Sequence, residues 1–221
     1  MDVIEAIHTR HSVRAFKSDP IDKETILKVL ETAIHSPSTA NTQPWEIFVA
    51  GGEILDKIRE AAAARYQAGT PTAPELPSQK PWPDALQERM DQMRAERYQL
   101  LGIDREDRAA ITANLSLNHQ FFGAPAMIYI CKGRALGIWS VFDIGLLSQS
   151  IMLAALNYGL GSIPALSFVG YPDIIRQELQ IPQDLEIVIG IGLGYEDKQS
   201  VINTYRSSRR PLQEVVTFKG I

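Results

Sequence analysis

The chain has 221 residues, 45% apolar and 22% charged, the proportions of an ordinary soluble globular protein long enough for one full core. Its formal charge of −4 supplies no basic surface for nucleic acid or for an anionic membrane. The single cysteine, Cys131, excludes an internal disulfide and reads as a small buried hydrophobe, which fits a reducing, cytoplasmic setting.

The N-terminus carries Asp2 and Glu5 and no continuous apolar run, so no signal peptide is expected. Val3, Ile4 and Ile7 recur at helical spacing, and Thr9 to Ser12 ends that helix or begins a loop. Ile26, Leu27, Val29, Leu30 and Ala33 form a second amphipathic face, with Asp22 as N-cap and Pro37 closing it. Glu46–Ala50 reads as a strand broken by Gly51 and Gly52, and Ile54–Tyr66 as a helix. Residues 67–84 hold Pro71, Pro74, Pro77, Pro81 and Pro83 together with Trp82, and read as an excursion from the fold. Helices over Ala85–Leu101, stopped by Gly102, and Arg105–Phe122 follow, then a strand over Ala126–Cys131.

From Ile144 to Pro172 no side chain is charged, long enough to raise the question of a membrane span. Gln149, Asn157, Gly159 and Gly161 argue instead for a core helix, Val141–Tyr158, buried on all sides, with Asp143 as a helix N-cap. Ile174–Leu179 is a short helix and Glu186–Leu193 an apolar strand. The basic tail contains a candidate strand at Glu214–Phe218.

Two polar clusters in the first fifty residues stand out. Arg10, His11, Ser12, Val13 and Arg14 offer cationic forks and a hydroxyl, which suit a phosphate. Residues 36–45 offer amides and hydroxyls on a proline-fixed loop, which suit a polyhydroxylated chain and a heterocycle edge. Taken alone, Arg10 and Arg14 could be solvated helix-end charges, and Ser38, Asn41 and Gln43 loop caps. Other motifs are weak. Gly190, Gly192 and Gly194 lack the third spaced glycine of a nucleotide loop and read as the end of a buried strand. His8, His11, His35 and His119 have no metal-ligand spacing, and neither a Gly-x-Ser-x-Gly elbow nor a Walker loop is present.

Five motifs in order resemble the nitroreductase family of FMN-dependent oxidoreductases. Residues 6–16 are similar to its Arg-x-Ser-x-Arg-x-Phe opening, and residues 36–45 to its Pro-Ser-x-x-Asn-x-Gln-Pro-Trp loop. Phe142 through Ser162 resembles its dimer helix and following turn, Gly190–Tyr195 its closing strand, and Arg209–Glu214 its tail. The resemblance implies an α+β fold in three α-β-α layers, with a mostly antiparallel central sheet and an intertwined homodimer. It makes residues 1–221 a single domain, with an inserted lid-like helical segment at about 67–104.

By resemblance, Arg10, Ser12 and Arg14 meet the FMN phosphate and ribityl chain, with His11 contributing mainly backbone contacts. Arg209 reaches the same phosphate, supported by Arg206. Pro37, Ser38, Thr39, Asn41 and Gln43 come from the other subunit. Pro164, Ala165 and Leu166 lie against the isoalloxazine, and Asn118 reaches its pyrimidine edge. Many relatives have a glycine or an acid where Ala165, Leu166 and Ser167 stand. That leaves the hydrogen bond at the flavin nitrogen to a backbone amide.

The implied chemistry is exchange of NADH or NADPH with a flat electron-poor acceptor, a nitroaromatic or a quinone, on one open shelf. No acid–base residue is then obligatory. Trp82 and Tyr98 are the candidate acceptor contacts, and the segment Gly69–Leu101 is expected to set substrate choice and not flavin binding. Two alternatives stand beside this. One is another FMN reaction on the same fold, enoyl-type reduction or a dehalogenation gripped by Lys80, Arg89, Arg94 and Arg97. The other is a non-enzymatic flavin-binding protein.

Overall fold

The computed structural model describes residues 1–77 and 81–221. Its helices are α1 (Val3–Thr9), α2 (Lys23–Ala33), α3 (Gly52–Gln67), α4 (Asp84–Leu101), α5 (Arg108–His119), α6 (Ile138–Asn157) and α7 (Pro172–Leu179). The strands are β1 (Glu46–Gly51), β2 (Ala126–Gly133), β3 (Gly161–Ala165) and β4 (Leu185–Gly194). They form one antiparallel sheet in the order β1-β2-β4-β3. Asp22 caps α2 as expected, accepting from the Thr25 amide at 2.8 Å.

Helices cover both faces of the sheet. Successive β2 side chains point to opposite sides. Met127, Tyr129 and Cys131 pack with Leu55 and Ile58 of α3 and with Ile174 of α7. Ile128 and Ile130 pack with Val29 of α2 and with Ile144, Leu147 and Ile151 of α6. The glycine run in β4 serves close packing. A Cβ on Gly190 would lie 2.8 Å from Phe168, and one on Gly194 would lie 2.6 Å from Pro125.

Four expectations change. β3 was not foreseen, because Gly161, Ser162 and Pro164 are poor strand formers; Pro164 is tolerated because β3 is an edge strand. The helix expected over Arg105–Phe122 stops at His119, and Phe121 and Phe122 turn the chain at φ of +54° and +53°. No strand forms at Glu214–Phe218; a short 3₁₀ turn, Leu212–Glu214, precedes exposed Val215 and Phe218. Finally, α6 is long and apolar enough to cross a membrane, yet it is not buried on all sides: only one of its faces packs on the sheet. Ile138, Trp139 and Phe142 are 73%, 69% and 58% exposed.

The first part of the proline-rich excursion, residues 70–75, is pinned to the fold. The Ala73 amide donates to Gly170 O at 2.9 Å, and the Tyr171 hydroxyl donates to Thr70 O at 2.8 Å. The Glu75 carboxylate accepts from Arg176 (2.8 and 2.9 Å), Arg134 (2.6 Å) and the Ile187 amide (2.6 Å).

Buried His119 stacks on Tyr66, with ring centroids 4.2 Å apart, and among the described residues its Nδ1 has no hydrogen-bond partner. Burial pushes its pKa below the ordinary 6.5. The unfolded chain therefore takes up this proton first, and stability falls as pH drops below about 6.5, levelling off under the depressed native value. His119→Phe should flatten that part of the stability profile, read as urea midpoint against pH. An unchanged slope would assign the acid sensitivity elsewhere.

Candidate functional site

The first cluster sits on an arm, residues 10–16, laid along the outer edge of β3. Ser12 bridges Ser162 in parallel, and the Val13 amide donates to Ser162 O at 3.0 Å. Val13 fills the space left by Gly161, where a Cβ would lie 2.5 Å from its Cγ2. The His11 imidazole lies between Thr9 O (3.1 Å) and the Glu196 carboxylate (3.0 Å), so its ring is held within the chain.

The arm and the tail enclose a cavity of about 530 Å³, lined among others by Arg10, Ser12, Arg14, Tyr205, Arg206 and Arg209. This brings together, within one chain, every arginine expected at the phosphate. Arg14 donates to Ser12 O (3.1 Å), Arg206 to Asn203 O (2.6 Å) and Arg209 to the Ser207 hydroxyl (2.8 Å). Among the described residues no carboxylate pairs with any of the four arginines, nor with Arg97 behind them. Burial, then repulsion from Arg97, pushes the Arg14 guanidinium down to about 10. Burial, then Arg209, lowers that of Arg10. Concentrated, partly desolvated and unneutralised positive charge of this kind binds a dianion such as a phosphate monoester.

The second cluster lies elsewhere in the chain. Thr39 donates through its amide (3.2 Å) and hydroxyl (3.3 Å) to buried Asp143, and the Gln43 amide donates to the Ser38 hydroxyl at 2.9 Å. Asp143 is thus not a helix N-cap. α6 begins five residues earlier, and the carboxylate anchors this loop. Ala40, Asn41 and Gln43 hold φ of +49°, +56° and +48°, a strain of roughly 1–3 kcal/mol each that typically accompanies ligand sites. Pro37, Thr39, Asn41 and Gln43 stay exposed and Ser38 half-buried. The loop is anchored at Asp143, whereas the arginine arm meets β3 just beyond Asn157. Fourteen residues of helix put about 21 Å between those levels, so the two clusters do not converge within one chain.

Pro164 and Ala165 continue along the strand edge that carries the arm, about 7 and 10 Å along it from Ser162, and Leu166 is exposed. Asn118 lies on α5, which packs against the turn Leu166–Val169, and its amide donates to Leu115 O at 3.0 Å. It does not line the arginine cavity.

Trp82, Arg89, Met90 and Met93 face Arg209 and Val215 across a cavity of about 970 Å³. It adjoins the arginine cavity, since Met93, Tyr205 and Arg209 line both. The Tyr205 hydroxyl donates to Glu96 at 2.8 Å and ties the tail to α4. α4 therefore walls the phosphate-type site, whereas the sequence suggested a segment separate from it. Tyr98 is buried on another side of α4, beside Ile103, and the structure does not bring it to Trp82. Of the lid cations, Arg94 pairs with Asp91 at 3.0 Å, and Lys80 lies outside the described residues.

Sequence reasoning missed Glu196, Tyr205, Asn203 and the anchoring role of Asp143. Each acts on a segment more than 100 residues away in the chain, which leaves no local signal.

An antiparallel sheet clothed on both faces, with an arginine-lined cavity at its edge strand, defines a scaffold for a phosphorylated small molecule. The chain belongs to the nitroreductase family, whose model matches residues 7–195. It is 33% identical to 4-nitrobenzoate reductase of Pseudomonas putida, covering 99% of this chain and 96% of that one. It is 31% identical to nitroreductase NfnB of Mycolicibacterium smegmatis, over 96% and 90%. The FMN- and NADPH-dependent nitroreductase NfnB from sphigopyxis sp. strain HMH superposes with a TM-score of 0.95 at 31% identity, both chains covered completely. Iodotyrosine deiodinase, at 17% identity and a TM-score of 0.67, shares the fold.

Proposed function

We propose that this protein is an FMN-dependent oxidoreductase that uses NADH or NADPH to reduce small nitroaromatics or quinones. The observation that carries the reading is the cavity of four arginines with no carboxylate partner among the described residues. Its donors fit a phosphate monoester, and the Ser12 hydroxyl on its lining fits the adjoining polyol. Relatives named as nitrobenzoate and nitrobenzene reductases support the acceptor class.

In this reading Arg10, Arg14, Arg206 and Arg209 hold the phosphate, and Pro164, Ala165 and Leu166 present an apolar edge to the ring. Bound FMN supplies hydride acceptance and delivery; the chain's residues bind, orient and exclude water. Pro37, Ser38, Thr39, Asn41 and Gln43 complete the site from a second copy, and Asn118 lies at the ring's far edge. The separation of about 21 Å along α6 and the exposed Ile138, Trp139 and Phe142 support a homodimer with two shared sites. The described parts of the segment, residues 67–77 and 81–104, act as a lid on a single domain. A cytoplasmic location fits the unpaired Cys131, whose thiol burial pushes up to about 12.

The purified protein should release FMN, identified by mass spectrometry, and oxidise NADPH or NADH steadily when 4-nitrobenzoate or a quinone is added. Release of FAD would overturn the cofactor assignment. Flavin without turnover would leave a binding protein and not an enzyme.

A further inference from the structure

We infer that Asn203 is the positioning residue of the phosphate site: its buried carboxamide sets the arm carrying Arg14 against the tail carrying Arg206. The inference rests on the FMN reading above. Asn203 is only 3% exposed and does not line the arginine cavity, so it would not touch a ligand there. Its Oδ1 accepts the Arg14 amide at 2.7 Å, while its Nδ2 donates to Ala15 O at 2.8 Å and to Asp197 O at 2.9 Å. Its own carbonyl accepts from Arg206 Nη1 at 2.6 Å.

One side chain thus joins three stretches of chain, and one residue contacts the backbone of one cavity arginine and the guanidinium of another. The chemistry requires an amide. Only asparagine at this reach offers an acceptor to the Arg14 N–H and two donors to facing carbonyls. The two arginines repel and gain nothing from each other. Without a neutral clamp, nothing in their mutual interaction would hold them at the spacing of one phosphate. Other ties between arm and tail, such as Asp197 N to Ala15 O (3.0 Å) and Lys17 N to Tyr195 O (2.9 Å), leave Arg14 and Arg206 untouched. Among the described residues, Asn203 alone hydrogen-bonds to both.

Asn203→Asp keeps the shape and the Oδ1 acceptor but turns the donor edge into an acceptor facing two carbonyls. The test compares FMN with riboflavin, which lacks the phosphate, by fluorescence titration of flavin-stripped protein. Asn203→Asp should raise the FMN Kd by about tenfold or more while the riboflavin Kd stays within about twofold, because only the charge-assisted phosphate contacts are displaced. In a double-mutant cycle, Arg14→Ala should cost FMN clearly less in the Asn203→Asp background than in the wild type. If Arg14→Ala weakens FMN but Asn203→Asp leaves the FMN-to-riboflavin ratio unchanged, positioning by Asn203 is refuted and the cofactor reading survives. If Arg14→Ala itself leaves FMN binding unchanged, the cofactor reading fails first. Should Asn203→Asp lose its thermal transition, Asn203→Ser carries the same comparison. Failure of both to fold would make Asn203 a fold residue and overturn the proposal.

Discussion

Mixing two inactive variants should restore flavin sites. Arg14→Ala removes the most buried of the cavity arginines, and Asn41→Ala removes a polar group from the left-handed loop at the other end of α6. In one chain those positions lie at levels about 21 Å apart along α6, so in the proposed dimer each complete site takes the arm of one copy and the loop of the other. A heterodimer of the two variants then has one site with both lesions and one with neither. Random exchange of equal amounts should recover about a quarter of the wild-type sites, from near zero in each homodimer. Bound flavin and NADPH oxidation of the mixture against time of exchange check this. A mixture no more active than its components would place both clusters in the same chain's site.

Glu75→Ala should be the most destabilising single substitution named here. The carboxylate and Arg176 are 12% and 10% exposed, and each holds further partners: Arg134 and the Ile187 amide on one side, and the carbonyls of Pro182 and Leu185 on the other. Removing one member leaves a buried guanidinium and a strand amide unpaired, at a cost of about 3–5 kcal/mol. For a chain of this length that lowers Tm by about 10 °C. Burial alone would raise the Glu75 pKa; hydrogen bonds from Arg176, Ile187 and Arg134 outweigh it and hold the carboxyl below its usual 4.5. Its contribution is complete above about pH 4.5 and is lost as pH falls through the depressed native value. Glu75→Gln should therefore flatten the acid limb of a Tm–pH curve, and a melting point within about 2 °C of the wild type for Glu75→Ala would show the network to be dispensable.

What the sequence reveals is what short stretches decide. The Asp22 cap, the continuous apolar run of β2 and the charge-free stretch that covers most of α6 each carry their signal within a few residues. The arginine cavity was legible because Arg10, Ser12 and Arg14 are neighbours and a basic tail is conspicuous. β3 was not, because its place is set by the empty face of Gly161 receiving Val13 from the other end of the chain. Asp143 reads as a helix cap and serves a loop 104 residues away, a partnership that only folding creates. The wall made by α4 was hidden for the same reason: nothing in Met93 or Glu96 announces Tyr205.

The arm at residues 10–16 has one more effect, on how these molecules behave in a crowd. β3 ends the sheet, and an uncovered strand end-row invites pairing with a stranger. Ser12 and Val13 occupy that row at Ser162, so the segment bearing the arginines is also the sheet's own bumper. A proteolytic nick or a peeling fluctuation there would strip the ligand's grip and bare a sticky margin in the same event. Molecules that lose their prosthetic group by this route should turn up in precipitate sooner than as clear, colourless protein.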